Sequence, residues 1–179
     1  YTTIATDANR SISFVEPALA AMPDGRWIVV SRTQVPVHPG TTHPYKLGPN
    51  MVCHSNDAGQ TWTEPELLPL EYTQSGSTNP FLLLTATGAV MYAVNTGTAF
   101  SYDAGRTWAP QQLVCGYYPN LCEIAPGTVA SLACGMSGHV FSLSEPIPGE
   151  TPPEGTLTET IDAAKEHPNG SWAPEAAAR

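Results

Sequence analysis

The amino-acid sequence predicts an all-β fold built from repeated four-stranded units, and three observations lead to this prediction. First, an eight-residue motif occurs twice, at 55–62 and 101–108, with its aspartates 46 positions apart. Second, the 179 residues include 15 glycines and 18 prolines, which supply turns throughout the chain. Third, the apolar stretches, such as 81–84 and 89–94, have the length of strands.

The charge balance excludes several classes of partner. Seven basic residues stand against 16 acidic ones, so the formal net charge is −9. A polyanion would be repelled, and we predict no nucleic-acid partner.

No apolar run approaches the roughly 20 residues of a membrane-spanning helix, so we also predict no membrane span. Apolar residues form 41% of the chain, which is enough for a packed core.

Both copies of the motif read S-x-D-A-G-x-T-W, a pattern that predicts a tight turn between two strands. The aspartate of such a turn accepts hydrogen bonds from backbone N–H groups just downstream, and the glycine supplies a positive φ. The tryptophan opens the next strand and offers a large surface for packing. We therefore assign a structural role to five of the shared positions, which are Ser55, Asp57, Gly59, Thr61 and Trp62 in the first copy and Ser101, Asp103, Gly105, Thr107 and Trp108 in the second.

The motif resembles the Asp-box, or BNR repeat, of sialidase (neuraminidase)-like β-propellers, where it joins the third and fourth strands of a blade. The resemblance implies a first blade at about 12–70 and a second at about 79–115. The strands predicted for the first blade are 13–21, 26–33, 50–55 and 61–69. Those predicted for the second blade are 79–85, 89–95, 98–102 and 107–114.

A third blade is predicted at about 120–179, where the motif itself is damaged. Its first three strands are predicted at 121–125, 128–133 and 139–144. Its fourth strand is predicted to begin at 171–174, because S-W-A-P there echoes T-W-A-P at 107–110. An insertion at 145–170 then separates the third strand from the fourth.

The insertion is predicted to contain a short helix at 157–166. The sequence T-L-T-E at its start matches a capping box. Leu157, Ile161 and Ala164 fall on one helical face, and Pro168 ends the run.

Three blades are half of the six that sialidase-like propellers have. A propeller leaves only short, protected edges because its ring closes, whereas three blades alone would expose two edges and a cut core. We therefore expect the ring to be completed by further C-terminal residues or by a second chain.

The resemblance also extends to 16–25, which is similar to the sialidase segment R-I-P-A-L-x-x-x-x-D-G. The family's carboxylate-binding arginine falls on Val15 here, and Glu16 adjoins the proline. Arg32 is similar to a second family arginine, but the family's acid/base aspartate has no counterpart between Arg32 and Ser55. The resemblance therefore implies the fold more strongly than it implies the sialidase reaction.

Ligands of propellers bind where the first strands and their connecting loops meet the central channel, and this placement selects the candidate residues. The candidates for catalysis are Arg32, Glu16, His38, His43 and Glu123. The candidates for substrate binding are Arg32, Tyr45, Asn79 and Asn120. Arg32 would bind a carboxylate or sugar hydroxyls, or would form a structural ion pair with Glu16.

The other candidates also have two interpretations each. His38 and His43 would act as general acid or base near neutral pH, or would be ordinary residues of a long loop. Tyr45, Tyr117 and Tyr118 would stack on sugar rings or pack at the rim of the channel. Asn79 would contact a ligand or cap the turn before its strand. Glu16 and Glu123 are the one pair of carboxylates that we place near the channel, and glycosidases use such pairs.

The four cysteines are Cys53, Cys115, Cys122 and Cys134, and none of them has the C-x-x-C spacing of zinc ribbons. They are either buried thiols or the members of one or two disulfides, whose pairing the sequence leaves open. Since the histidines also lack the spacing of a known metal site, we predict neither a metal nor a cofactor.

These observations predict a secreted, glycan-active propeller that is an exo-glycosidase-type hydrolase or a diverged relative acting on glycan termini. The alternative is a non-catalytic propeller that serves carbohydrate binding, adhesion or protein assembly. The predicted partner is a glycan or glycoconjugate. The acidic charge suits an extracellular or periplasmic location.

Overall fold

A computed structural model describes residues 12–36, 45–73, 79–111, 118–133, 137–142 and 156–162. These residues form three antiparallel four-stranded sheets. Blade 1 contains β1 (Ser13–Ala21), β2 (Trp27–Pro36), β3 (Tyr45–Ser55) and β4 (Glu66–Leu67). Blade 2 contains β5 (Phe81–Leu84), β6 (Val90–Val94), β7 (Gly97–Ser101) and β8 (Ala109–Gln111). Blade 3 contains β9 (Asn120–Ala125), β10 (Thr128–Leu132), β11 (Ser137–Ser142) and β12 (Thr156–Asp162).

In every sheet the strands lie side by side in chain order, so each blade is an antiparallel meander. The prediction of an all-β fold with four-stranded units is confirmed. The helical structure of the described residues is a single 3₁₀ turn, Glu71–Thr73, after blade 1. In these residues no helix is long and apolar enough to cross a membrane.

The predicted helix at 157–166 is wrong where the structure describes it. Residues 156–162 form β12, which pairs antiparallel with β11 and is the fourth strand of blade 3. Threonine alternates with other residues at 156, 158 and 160, and β-branched residues favour an extended backbone. The free edge of β11 offers this segment a strand to pair with, whereas an isolated helix of this length is only marginally stable in water. Residues 163–166, and the fourth strand predicted at 171–174, lie outside the described residues.

The core lies on the two faces of blade 2. Val90, Tyr92 and Val94 of β6 pack in one buried cluster with Ile28 and Val30 of blade 1. The alternate residues of β6 belong to a second cluster, which includes Met91, Ala93, Phe100, Leu121 and Val129. Because successive residues of a strand point to opposite faces, β6 contacts both neighbouring blades and is buried at every position. Blade 2 is therefore stacked between blade 1 and blade 3.

The outward faces of blades 1 and 3 carry exposed apolar side chains. Leu19 of β1 is half exposed, as are Ile124 of β9 and Leu132 of β10. On blade 1, Leu19, Trp27 and Trp62 line a hollow of about 390 Å³ together with Pro17, Ala18, Val29 and Gly59. These faces are the two to which a further blade would add in a propeller.

The two copies of the repeated motif adopt the same hydrogen-bonded turn. In the second copy, Asp103 Oδ1 accepts from Thr107 N at 2.8 Å and its Oδ2 accepts from the Thr107 hydroxyl at 2.6 Å. Ser101 Oγ accepts from Gly105 N at 2.7 Å, and the indole N–H of Trp108 donates to Gly105 O at 3.0 Å. The turn thus joins β7 to the start of β8 through its own side chains.

The first copy repeats this geometry, and both copies share one feature that the sequence did not predict. Asp57 accepts from Thr61 N at 2.8 Å and from the Thr61 hydroxyl at 2.5 Å. Besides the glycines, Ala58 and Ala104 also have a positive φ, of 55° and 62°. The side-chain hydrogen bonds of the turn hold these alanines in a conformation that non-glycine residues rarely adopt.

These turns are expected to contribute stability that acid removes. Hydrogen bonds from the Thr61 hydroxyl and amide lower the pKa of Asp57 to about 2. Burial raises the pKa of Asp103, but the hydrogen bonds from Thr107, Ser101 and Arg106 together outweigh it and lower that pKa overall. A carboxyl pKa that is lower in the folded state stabilises the fold above the unfolded value of about 4, and this stability is lost as pH falls toward 2.

The double variant Asp57→Asn/Asp103→Asn is therefore expected to be less stable than the wild type at pH 7 and to lose less stability between pH 4 and pH 2. Tryptophan fluorescence during urea denaturation, at pH 7, 4, 3 and 2, measures both differences. A parallel loss of stability in the two proteins over this range would show that the two aspartates do not link folding to pH.

Candidate functional site

The first strands of the three blades, β1, β5 and β9, are the inner strands, and they form a groove of about 310 Å³ at the end where β5 and β9 begin. This inner-strand groove is lined by Glu16, Pro17, Asn79, Pro80, Phe81, Tyr118, Pro119 and Asn120. The structure thus brings together Glu16, Asn79 and Asn120, one candidate from each blade. The grouping arises because β5 lies between β1 and β9.

Glu16 sits at an irregularity of β1. The register between β1 and β2 shifts between Val15 and Ala18, and Glu16 has a φ of 53°. Pro17 has no N–H to donate to the strand ladder, so it favours a bulge at this point. The bulge turns the Glu16 carboxylate into the groove, where its side chain keeps 31% of its surface exposed.

Arg32 of β2 supports this carboxylate. Its Nε lies 2.9 Å from Glu16 Oε2, although the N–H is not aligned well enough for a hydrogen bond. The Arg32 side chain is only 10% exposed and does not line the groove. Of the two interpretations of Arg32, the structure shows the ion pair with Glu16.

Asn79 fixes Glu16 from the neighbouring blade. In the amide orientation that satisfies both groups, its nitrogen donates to Glu16 Oε2 at 2.5 Å and to Oε1 at 3.1 Å. Asn79 lies just before β5, so the carboxylate is held between blades 1 and 2. Each carboxylate oxygen can accept more than one hydrogen bond and keeps capacity for a ligand.

Tyr118 supplies an aromatic ring on the blade 3 side of the groove. It is 52% exposed and, like Glu16, has a φ of 53°. Outside the two turn motifs, Glu16 and Tyr118 are the non-glycine residues with positive φ among those the structure describes. Uncommon backbone conformations of this kind cluster at ligand sites, where the surrounding structure holds them in place.

Glu123 lies at the other end of the inner strands. Its carboxylate accepts from Ala86 N at 2.6 Å and from Gly127 N at 2.9 Å. These amides belong to the turns that follow β5 and β9, so Glu123 connects blades 2 and 3 there. The structure does not bring Glu16 and Glu123 together as paired carboxylates.

The remaining candidates do not line the groove in the described part of the chain. Tyr45 is exposed at the start of β3. His38, His43 and Tyr117 lie outside the described residues, as do Cys115 and Cys134. Cys53 is a buried free thiol, and Cys122 is a free thiol at the surface. Among the residues with described positions, no three His, Cys, Asp or Glu side chains group as metal ligands.

No family model matches this sequence, and no curated protein matches it. Solved structures do resemble it. The Hadza microbial sialidase Hz136 is 17% identical, with a TM-score of 0.56 over 83% of this chain and 34% of its own. The NanB sialidase from Streptococcus pneumoniae is 12% identical, with a TM-score of 0.53 over 83% of this chain and 40% of its own.

A third neighbour is Zg3597, a family 117 glycoside hydrolase from Zobellia galactanivorans. It is 15% identical, with a TM-score of 0.50 over 82% of this chain and 46% of its own. The chain thus spans less than half the length of these three proteins. At such identities the likeness shows the fold, which is the blade architecture of β-propeller glycosidases.

Proposed function

We propose that this chain is part of a carbohydrate-active β-propeller and that its inner-strand groove binds the terminus of a glycan. One observation carries the proposal: a carboxylate, two amides and an exposed aromatic ring converge where the inner strands of three blades meet. A sugar-binding site needs hydrogen-bond acceptors and donors for the sugar hydroxyls, and a flat apolar surface for the face of the sugar ring. Glu16, Asn79, Asn120 and Tyr118 offer these groups.

For the reaction, we propose exo-glycosidase-type hydrolysis or a diverged form of it. Glycosidases use two carboxylates on either side of the scissile bond. The described part of the groove offers one, Glu16, since Glu123 holds two backbone amides elsewhere. The second carboxylate of a hydrolase would have to come from residues beyond the described ranges. We place such a protein in the extracellular space or the periplasm.

The test combines a glycan array with a panel of 4-nitrophenyl glycosides, applied to the wild type and to two variants. Glu16→Gln removes the charge of the groove and keeps a hydrogen-bond acceptor. Asp24→Asn removes one negative charge from the exposed turn after β1 and is the matched control. We expect Glu16→Gln to weaken glycan binding at least tenfold, or about 1.4 kcal/mol, and Asp24→Asn to leave it unchanged.

Binding without turnover of any glycoside would place the protein among the non-catalytic members of its fold. Turnover that Glu16→Gln abolishes and Asp24→Asn preserves would support a hydrolase in which Glu16 takes part. The proposal fails if the wild type binds no glycan on the array and turns over no glycoside.

A second candidate function is assembly or adhesion through the outward faces of blades 1 and 3. The observation that favours it is the apolar hollow beside Leu19, Trp27 and Trp62, which in a closed propeller a further blade would cover. We propose that further residues or a second chain complete the ring there. The absence of binding on the glycan array, together with self-association in sedimentation velocity, would favour this candidate.

A further inference from the structure

The charge in the inner-strand groove restricts the sugars that it can take. Glu16 is the one charged side chain among the groove-lining residues that the structure describes. Its partner Arg32 is about three times less exposed and lies outside the lining. A ligand in the groove therefore meets the carboxylate, whereas the guanidinium remains buried behind the strand.

A sugar that carries a carboxylate would bring a second negative charge into this groove. Among the described lining residues no cation faces the ligand, and the Asn79 amide is already directed at Glu16. Two carboxylates that share a partly desolvated site repel each other, unless one of them takes up a proton. This repulsion lowers the affinity for a ligand with a carboxylate and so favours an uncharged ligand.

An uncharged sugar terminus suits the same groups. The two oxygens of Glu16 accept hydroxyl hydrogens side by side, since ionised carboxylates are acceptors only. Asn120 is exposed at the rim and offers both an amide N–H and a carbonyl oxygen. The exposed Tyr118 ring offers a flat surface for the C–H face of a pyranose. A volume of about 310 Å³ suits a terminal unit better than a long chain.

We propose that the inner-strand groove selects uncharged sugar termini against acidic ones, with Glu16 as the hydroxyl acceptor and Tyr118 as the platform under the ring. This inference rests on the proposed glycan-binding function and names its substrate class. In this proposal Glu16 is the residue that determines the specificity.

The test uses glycan pairs that differ in one carboxylate: methyl glucoside with methyl glucuronide, and methyl galactoside with methyl galacturonide. Isothermal titration calorimetry measures the dissociation constant of each for the wild type, Glu16→Gln and Asp24→Asn. In the pair that it recognises, we expect the wild type to bind the uncharged member at least tenfold more tightly than the acidic member. Glu16→Gln should narrow this preference to about threefold or less, because it weakens binding of the uncharged member and removes the repulsion of the acidic one, whereas Asp24→Asn should keep the preference.

Two results would overturn the inference while leaving the glycan-binding function intact. One is equal or tighter binding of the acidic member by the wild type. The other is an unchanged preference in a Glu16→Gln variant whose thermal unfolding shows that it is folded. Tyr118→Ala provides a second readout. It should weaken binding of the uncharged member at least tenfold without changing the ratio of the two dissociation constants within the pair. The absence of binding to every glycan, on the array as well, would refute the proposed function itself.

Discussion

Replacing Tyr92 with alanine is expected to lower the free energy of unfolding by about 4 kcal/mol, within the range measured for aromatic-to-alanine changes in protein cores. Tyr92 is fully buried between blades 1 and 2. Its ring meets that of Trp108 edge to face, with the centroids 5.8 Å apart. Its hydroxyl accepts a hydrogen bond of 2.6 Å from the amide of Asn50, which is also fully buried.

Tyr92→Phe is the matched variant, because it keeps the ring and removes the hydroxyl. It should cost about 1–3 kcal/mol, the penalty for leaving the buried amide of Asn50 without this acceptor. Urea denaturation monitored by tryptophan fluorescence measures both variants. A loss below about 1 kcal/mol for Tyr92→Ala would contradict the packing of blade 2 against blade 1, since burial of this ring alone exceeds that value.

Replacing Gly105 with alanine is expected to lower the free energy of unfolding by about 3 kcal/mol, from a positive φ and from overpacking together. Gly105 lies in the turn between β7 and β8 with a φ of 79°. A Cβ atom there would overlap Cδ1 of Ile28 and would lie 3.3 Å from a ring carbon of Trp108. Because Ile28 is fully buried in blade 1, its side chain has little room to move.

Gly88→Ala separates the two contributions. Gly88 has a φ of 86°, in the turn between β5 and β6, but a Cβ atom there would meet nothing within 4 Å. This variant should lose only about 1 kcal/mol, the cost of the left-handed backbone alone. Equal losses for the two variants would show that the turn of blade 2 does not pack against Ile28.

The parts of the fold that the sequence predicted best are those that local chemistry determines. The repeated S-x-D-A-G-x-T-W motif satisfies its own hydrogen bonds, so its turn forms in the same way in blades 1 and 2. Each blade's second strand follows a turn with a glycine at positive φ, namely Gly25, Gly88 and Gly127. A turn of this kind can be recognised from a few neighbouring residues.

The third blade shows where local patterns fail. Residues 156–162 fit a helical period as well as a strand period, and pairing with β11 decides between the two. Whether the segment forms a strand depends on the free edge of β11, which lies outside the segment and cannot be recognised from its own residue pattern. The fourth strand of blade 1 is also shorter than predicted, because β4 pairs with β3 at only two residues.

The candidate site was predictable in its position but not in its contacts. The order of the blades places Glu16, Asn79 and Asn120 along one groove, because each belongs to the first strand of its blade or lies just before it. The amide contact from Asn79 to Glu16, and the burial of Arg32 behind it, arise from packing between blades. The contacts of Glu123 were not predictable for the same reason, since its partner Ala86 comes from a turn that only the stacking of blades 2 and 3 brings close.

The most direct test of the central claim is a crystal structure of the protein with an uncharged glycan that it binds on the array. We predict density for a terminal sugar in the inner-strand groove, with hydroxyls within hydrogen-bond distance of the Glu16 carboxylate and the ring over Tyr118. Density for the sugar on the outward face of blade 1, beside Trp27 and Trp62, with the groove free of sugar, would contradict the claim.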